Sequence, residues 1–208
     1  MKGLVVRVSF FFDPSCPWCW LTSRWLTEVQ RYREIDIAWK PFSLEIKNTG
    51  VDVPAQYRPG MRLGLRALRI IEAAKAENIA DMDSIGRFYS TLGNQFHNQG
   101  LGAKSSIGDA LAAAQWPAEL HYHENNEEMD AAIRATMEEA LALYGTESVG
   151  VPLVVIEGDS RVALNGPLLN ATPRGEAAGE LWDAFVIFAQ NKSFFELKKH
   201  RVSGPDFS

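Results

Sequence analysis

An apolar run over residues 4–12 is stopped by Asp13-Pro14-Ser15, and the chain's two cysteines follow at once in Cys16-Pro17-Trp18-Cys19. The run is β-branched and aromatic, with only Arg7 and Ser9 polar, which predicts a strand buried on both faces. From Cys16 onward, Trp18, Trp20, Leu21, Trp25, Leu26 and Val29 recur at helical spacing to about Arg33, with Ser15 or Asp13 available as the cap. A second strand is expected over 35–42. The three pieces make a β-α-β unit with Cys16 at its strand-to-helix turn.

That placement gives the cysteine pair its meaning. A bond from Cys16 to Cys19 closes so short a loop that it removes little entropy from the unfolded chain, so stability does not explain the pair. The spacing points to redox exchange or metal ligation. In the first turn of a helix, Cys16 faces unsatisfied N–H groups and the positive end of the macrodipole, which favour a thiolate. Cys16 is therefore the expected nucleophile. Cys19, one turn deeper, can resolve a mixed disulfide by attacking the Cys16 sulphur. Pro17 suits the helix entrance, where its missing donor would be idle. Trp18 brings a broad apolar face and no cation, which predicts a reducing rather than a strongly oxidising centre. The metal alternative is half of a zinc site, and its second ligand pair is missing: His121 and His123 have no cysteine near them in sequence, and His97 and His200 stand apart.

Further along, residues 54–144 almost lack β-branched runs and are rich in Ala, Leu, Glu and Arg. Helices are predicted over 59–77, 83–93, 106–115, 117–121 and 125–144. Strands over 153–156 and 161–164 flank Glu157-Gly158-Asp159-Ser160, a hairpin signal. A last helix is expected from Pro173, capped by Thr172, to about Gln190, before an irregular tail packed on the surface. The Val151-Pro152 bond just before the third strand is expected to be cis, exposing backbone polar groups beside Cys16 that can bind an extended thiol substrate. The alternative is a trans proline opening an edge strand.

The 208 residues, 46% hydrophobic, can bury a core without covalent staples. A net charge of −5 argues against a nucleic-acid partner. No apolar run approaches the roughly 20 residues that span a bilayer. The first residues read as a strand rather than an export leader, which points to the cytoplasm.

Phe12-Asp13-Pro14-Ser15-Cys16-Pro17-Trp18-Cys19-Trp20, the helical block and Gly150-Val151-Pro152 resemble the DsbA-like branch of the thioredoxin superfamily. More closely, the chain is similar to the actinobacterial mycothiol-dependent nitroreductases, a cytosolic group related to the mycoredoxins. The likeness runs through residues 13–25, 54–61 (Pro-Ala-Gln-Tyr-Arg-Pro-Gly-Met), 93–100 (Gly-Asn-Gln-Phe-His-Asn-Gln-Gly), 173–182 and 194–198. It implies an α/β, thioredoxin-like fold (residues 1–53 and 146–208) interrupted by a helical insertion domain (54–145). It also implies a dithiol reduced by mycothiol as co-substrate, with no tightly bound cofactor, that reduces disulfides or nitro-aromatic compounds. Carried over by position, Trp18, Asn48, Tyr57 and His97 would line the substrate pocket beside Cys16, with Val151 and Pro152 opposite. The partners expected are a low-molecular-weight thiol and a small-molecule or disulfide substrate, with a second copy of the chain as a further candidate.

Read from the residues alone, these extra positions stay open. His97 could donate a proton to a leaving thiolate or nitro oxygen, or simply hydrogen-bond at a helix end. Tyr57 could be a packing residue, whereas Trp18 is placed to stack on an aromatic substrate. Arg58, Arg62, Arg66 and Arg69 share one helix face, either as a solvated surface or as a cationic rim for a carboxylate. Three rivals remain. A general protein-disulfide oxidant would need an export signal. A kappa-class glutathione-transferase-like enzyme would conjugate or isomerise with one nucleophile and has no need of Cys19. A redox-switched binding module would use the disulfide only to control a partner.

Overall fold

The computed structural model describes residues 5–146, 148–157 and 161–208. Four strands form one sheet in the order β2-β1-β3-β4. Strand β1, Val6–Phe12, lies in its interior, parallel to β2, Ile35–Pro41, and antiparallel to β3, Leu153–Ile156. Strand β4, Val162–Asn165, closes the other edge against β3. Residue 4 of the expected first strand and residues 158–160 of the expected hairpin turn lie outside the described residues.

The buried, unbroken character of β1 follows from its position between two strands. Phe10, Phe11 and Phe12 are all fully buried, each contributing about 2 kcal/mol of apolar burial. Alternation puts Phe10 and Phe12 on one face, stacked 6.1 Å apart, where the Trp39 ring meets both edge-on and the Tyr89 ring lies 4.3 Å from Phe12. Helix α1, Pro17–Val29, docks on α7, Glu176–Gln190, through Trp25. That ring lies 6.0 Å from Trp182 and 5.8 Å from Phe185, and its indole N–H donates to the Ala178 carbonyl at 3.0 Å.

Between β2 and β3 the regular elements among the described residues are all helical. The helices are α2 (Leu44–Lys47), α3 (Arg58–Ala76), α4 (Met82–Gly93), α5 (Ile107–Ala114) and α6 (Asp130–Tyr144). The short α2 escapes a reading by periodicity because four residues are too few to show one. The segments expected as helices over 117–121 and at the start of 125–144 are 3-10 turns, Ala118–Asn125 and Glu127–Met129. Helix α4 passes directly into a π-helical turn, Asn94–Asn98.

Two ends differ from expectation for physical reasons. The cap of α1 is Cys16 itself, whose sulphur accepts from the Cys19 N–H, because Asp13 and Ser15 are bonded to each other. Helix α7 begins at Glu176 rather than Pro173: Gly175, at φ 64°, turns the chain just before it and gives its N–H to the buried Glu28 carboxylate at 3.0 Å.

Candidate active site

The register of the sheet assembles the site. Phe11 pairs with Leu153, so Val151 and Pro152 arrive level with the end of β1, where α1 begins. The Val151–Pro152 bond is cis, as the sequence predicts. The Cys16 thiol donates to the Val151 carbonyl at 3.7 Å, and its sulphur accepts from the Cys19 N–H at 3.3 Å. A backbone donor at a helix start thus faces the sulphur from one side and an edge carbonyl from the other. Cys16 is 4% exposed and Cys19 is fully buried; both are free thiols. Burial above all, and then the hydrogen bond and charge of Cys16, push the Cys19 thiol well above its ordinary value. A buried thiol of this kind attacks only after giving up its proton.

One carboxyl that bears on Cys19 is suggested by the sequence only as a helix cap. Asp13 is fully buried. Its Oδ1 accepts from the Ser15 N–H (2.7 Å) and hydroxyl (2.6 Å), and its Oδ2 from the Leu44 N–H at 2.6 Å. Burial nevertheless dominates these bonds and raises its pKa from 3.8 to about 6, and its charge bears directly on Cys19. The carboxyl fits under α3 only because residue 64 is glycine, where a Cβ would lie 2.6 Å from Asp13 Oδ1.

His97 reaches the same turn from the helical block. A carbonyl can only accept, so the 2.9 Å contact between His97 Nε2 and Pro14 O makes Nε2 the protonated nitrogen. The ring stacks on Trp20 at 5.9 Å, and the Trp20 indole N–H donates to Asn98 Oδ1 at 2.8 Å. The π turn thereby offers two successive side chains to α1, an arrangement common where π turns serve a site. Burial lowers the His97 pKa to about 4, against the bond to Pro14. The ring is neutral at physiological pH with its Nε2 proton committed, which favours the hydrogen-bonding reading over proton donation.

Trp18 is partly buried on the exposed side of the motif, with the Arg201 guanidinium 5.0 Å from its ring centre. Asn48 caps the C-terminal end of α2, and Tyr57 caps the N-terminal end of α3. The Asn48 amide donates to the Leu44 carbonyl (2.8 Å) and lines an open cavity of about 580 Å³ with Arg58, Met61 and Arg134. Tyr57 is 57% exposed. Among the described residues no hydrogen bond or ring contact joins either to the dithiol. The arginine face of α3 is neither a free rim nor a solvated surface throughout. Arg58 and Arg62 face Asp52 and Glu45 at 3.8 Å, Arg66 pairs with Glu124 at 2.6 Å, and Arg69, 8% exposed, forks onto Asp130 at 2.7 and 2.9 Å. Among the described residues no group of three or more His, Cys, Asp or Glu side chains could hold a metal ion, and no helix is long and apolar enough to cross a membrane.

Comparison with known proteins places this site in a family context. The chain is 28% identical over 199 residues to the uncharacterized protein Rv2286c of Mycobacterium tuberculosis, covering 94% of this chain and 82% of that one. Among solved structures it is similar to the cytosolic disulfide reductase DsbM from Pseudomonas aeruginosa, with a TM-score of 0.57 at 14% identity over 87% of this chain and 97% of that one. A 2-hydroxychromene-2-carboxylate isomerase aligns with a TM-score of 0.54 at 13% identity, over 74% of this chain and 87% of that one. At such identities these likenesses show the fold, which is thioredoxin-like in the DsbA manner. Residues 15–199 match the Rv2466c-like family, described as mycothiol-dependent nitroreductase Rv2466c, and the chain belongs to that family.

Proposed function

We propose that this protein is a cytosolic two-cysteine reductase that draws electrons from mycothiol and passes them to a disulfide or a nitro-aromatic compound. The observation that carries the reading is the Cys16 sulphur at the helix start, 3.3 Å from the Cys19 N–H and 3.7 Å from the Val151 carbonyl. The Cys16 thiolate attacks one sulphur of a substrate disulfide, forming a mixed disulfide and expelling the other half as a thiolate. Cys19 gives its proton to the buried Asp13 carboxylate and attacks the Cys16 sulphur, which breaks the mixed disulfide and releases the second thiolate. Two electrons have then left the dithiol. Two mycothiol molecules restore it, the first forming a mixed disulfide and the second leaving as the mycothiol disulfide. With a nitro-aromatic acceptor, the same two electrons and two protons convert the nitro group to a nitroso group and water.

In this reading Trp18 stacks on an aromatic substrate, while Val151 and Pro152 present backbone to an extended one. Asn48 and Tyr57, with Trp18 and His97, line the pocket that takes the substrate beside Cys16. His97 holds the Pro14 carbonyl and so fixes the turn before Cys16. Residues 54–145 act as an insertion domain against which the turn is braced. The dithiol itself carries the electrons, so the scheme calls for no bound cofactor.

The test is turnover of a mixed mycothiol disulfide and of a nitro-aromatic compound by wild type, Cys16→Ser and Cys19→Ser. Cys16→Ser is expected to lose both activities, and Cys19→Ser to stall with one substrate half attached, visible as added mass. Full activity in Cys16→Ser refutes the mechanism. Full activity in Cys19→Ser without a trapped adduct favours single-nucleophile conjugation or isomerisation instead.

A further inference from the structure

The end of the chain runs past the dithiol motif, touching it at Trp18 and the adjoining π turn. Arg201 stacks its guanidinium over Trp18, within the motif itself. Six residues on, the Phe207 ring lies 5.4 Å from His97, and the Phe207 carbonyl accepts from the Asn98 amide at 2.5 Å. Between these points the Ser203 hydroxyl donates to Asn170 Oδ1 at 3.0 Å, and the Asp206 N–H donates to the Asn170 carbonyl at 2.7 Å. The ties therefore fall on three elements: the helix that starts at Cys16, the π turn of the helical block, and the loop after β4. Cys16, two residues before Trp18, is itself 4% exposed.

A residue buried to that degree offers an incoming disulfide little approach, so access to Cys16 calls for a movement beside it. The tail is the segment built to do so. It has no helix or strand, most of its side chains are exposed, and Val202 is 90% so. A segment held by a few surface contacts opens far more readily than the core beneath it. Arg201 also holds a face of Trp18, the ring proposed to receive an aromatic substrate, so tail and substrate compete for one surface.

We propose that residues 199–208 form a strap that closes over Cys16 and lifts to admit substrate, with Arg201 on Trp18 and Phe207 on His97 as its two latches. The inference rests on Cys16 being the nucleophile of the reductase reading. The closed strap shields the thiol from adventitious oxidants, and binding energy from the correct substrate displaces it.

The experiment measures the rate at which iodoacetamide labels Cys16 in the reduced full-length protein, located by peptide mapping. Wild type is compared with Arg201→Ala, Phe207→Ala and the double variant. Each single change is expected to raise the rate about two- to fivefold, the effect of losing one exposed stacking contact on an open–closed equilibrium, and the double change to raise it further. Labelling of the double variant at the wild-type rate overturns the proposal. Independently of any variant, attaching N-ethylmaleimide to Cys16 is expected to hold the strap off and speed amide exchange across 201–208; unchanged exchange overturns it too. Neither readout needs mycothiol or a nitro compound, so failure of the strap and failure of the reductase reading are told apart.

Discussion

Replacing Asp13 by asparagine should change how stability depends on pH, by an amount the burial of the carboxyl sets. In the folded protein the group titrates near 6 instead of 3.8. The folded state therefore binds the proton more tightly than the unfolded chain, and its stabilising effect is complete below pH 3.8 and lost as pH rises through 6. At 1.36 kcal/mol per pH unit of displacement, the loss is about 3 kcal/mol. Asp13→Asn removes this titration. It also turns an amide N–H toward the Leu44 N–H that Oδ2 accepted at 2.6 Å, a penalty of about 1–3 kcal/mol that applies at every pH. The difference between variant and wild type cancels all other titrating groups. Urea unfolding of both reduced proteins should show the variant gaining about 2.5 kcal/mol on wild type between pH 4 and pH 7.5. Parallel stability curves would refute the argument that burial outweighs the three hydrogen bonds. The same substitution should slow resolution of the mixed disulfide at neutral pH, because Cys19 loses its proton acceptor.

Gly64→Ala drives a Cβ to 2.6 Å from Asp13 Oδ1 and should lower stability by about 1–3 kcal/mol in denaturant unfolding. By contrast, Gly108→Ala in α5 meets nothing nearer than 3.7 Å and should be neutral or stabilising by about 0.5–1 kcal/mol. An NMR titration of the His97 ring should give a midpoint near 4, held down by burial. Because that value is depressed below the unfolded 6.5, stability from this group should fall as pH drops from 6.5 through 4, and a midpoint near 6.5 would contradict the buried, neutral ring. Arg69→Ala leaves Asp130 without its forked partner and should cost about 3 kcal/mol by thermal or urea unfolding, well beyond the effect of Arg62→Ala at the exposed 3.8 Å pair.

The strand, the break at Asp13-Pro14-Ser15 and the helix carrying Cys16 and Cys19 are legible in the sequence because each depends on spacing within a few residues. Strand character, the proline at the first helical position and the one-turn separation of the thiols are local properties. So are the helical character of the long middle segment and the third strand, Leu153–Ile156. Other features of the site come from residues far apart in the chain. His97 meets Pro14 across 83 positions, Cys16 meets Val151 across 135, and Asn98 meets Phe207 across 109. No periodicity encodes which buried carbonyl a histidine will find, and none distinguishes a capping aspartate from one sealed beneath a glycine of α3. The arginines of α3 look like a free charged stripe until the segments carrying Glu124 and Asp130 fold against them. The sequence by itself determined the dithiol motif and its helix-start setting. The tertiary structure decided which groups bury that pair and which charges bear on it, because burial and charge are summed over every neighbour that folding brings near.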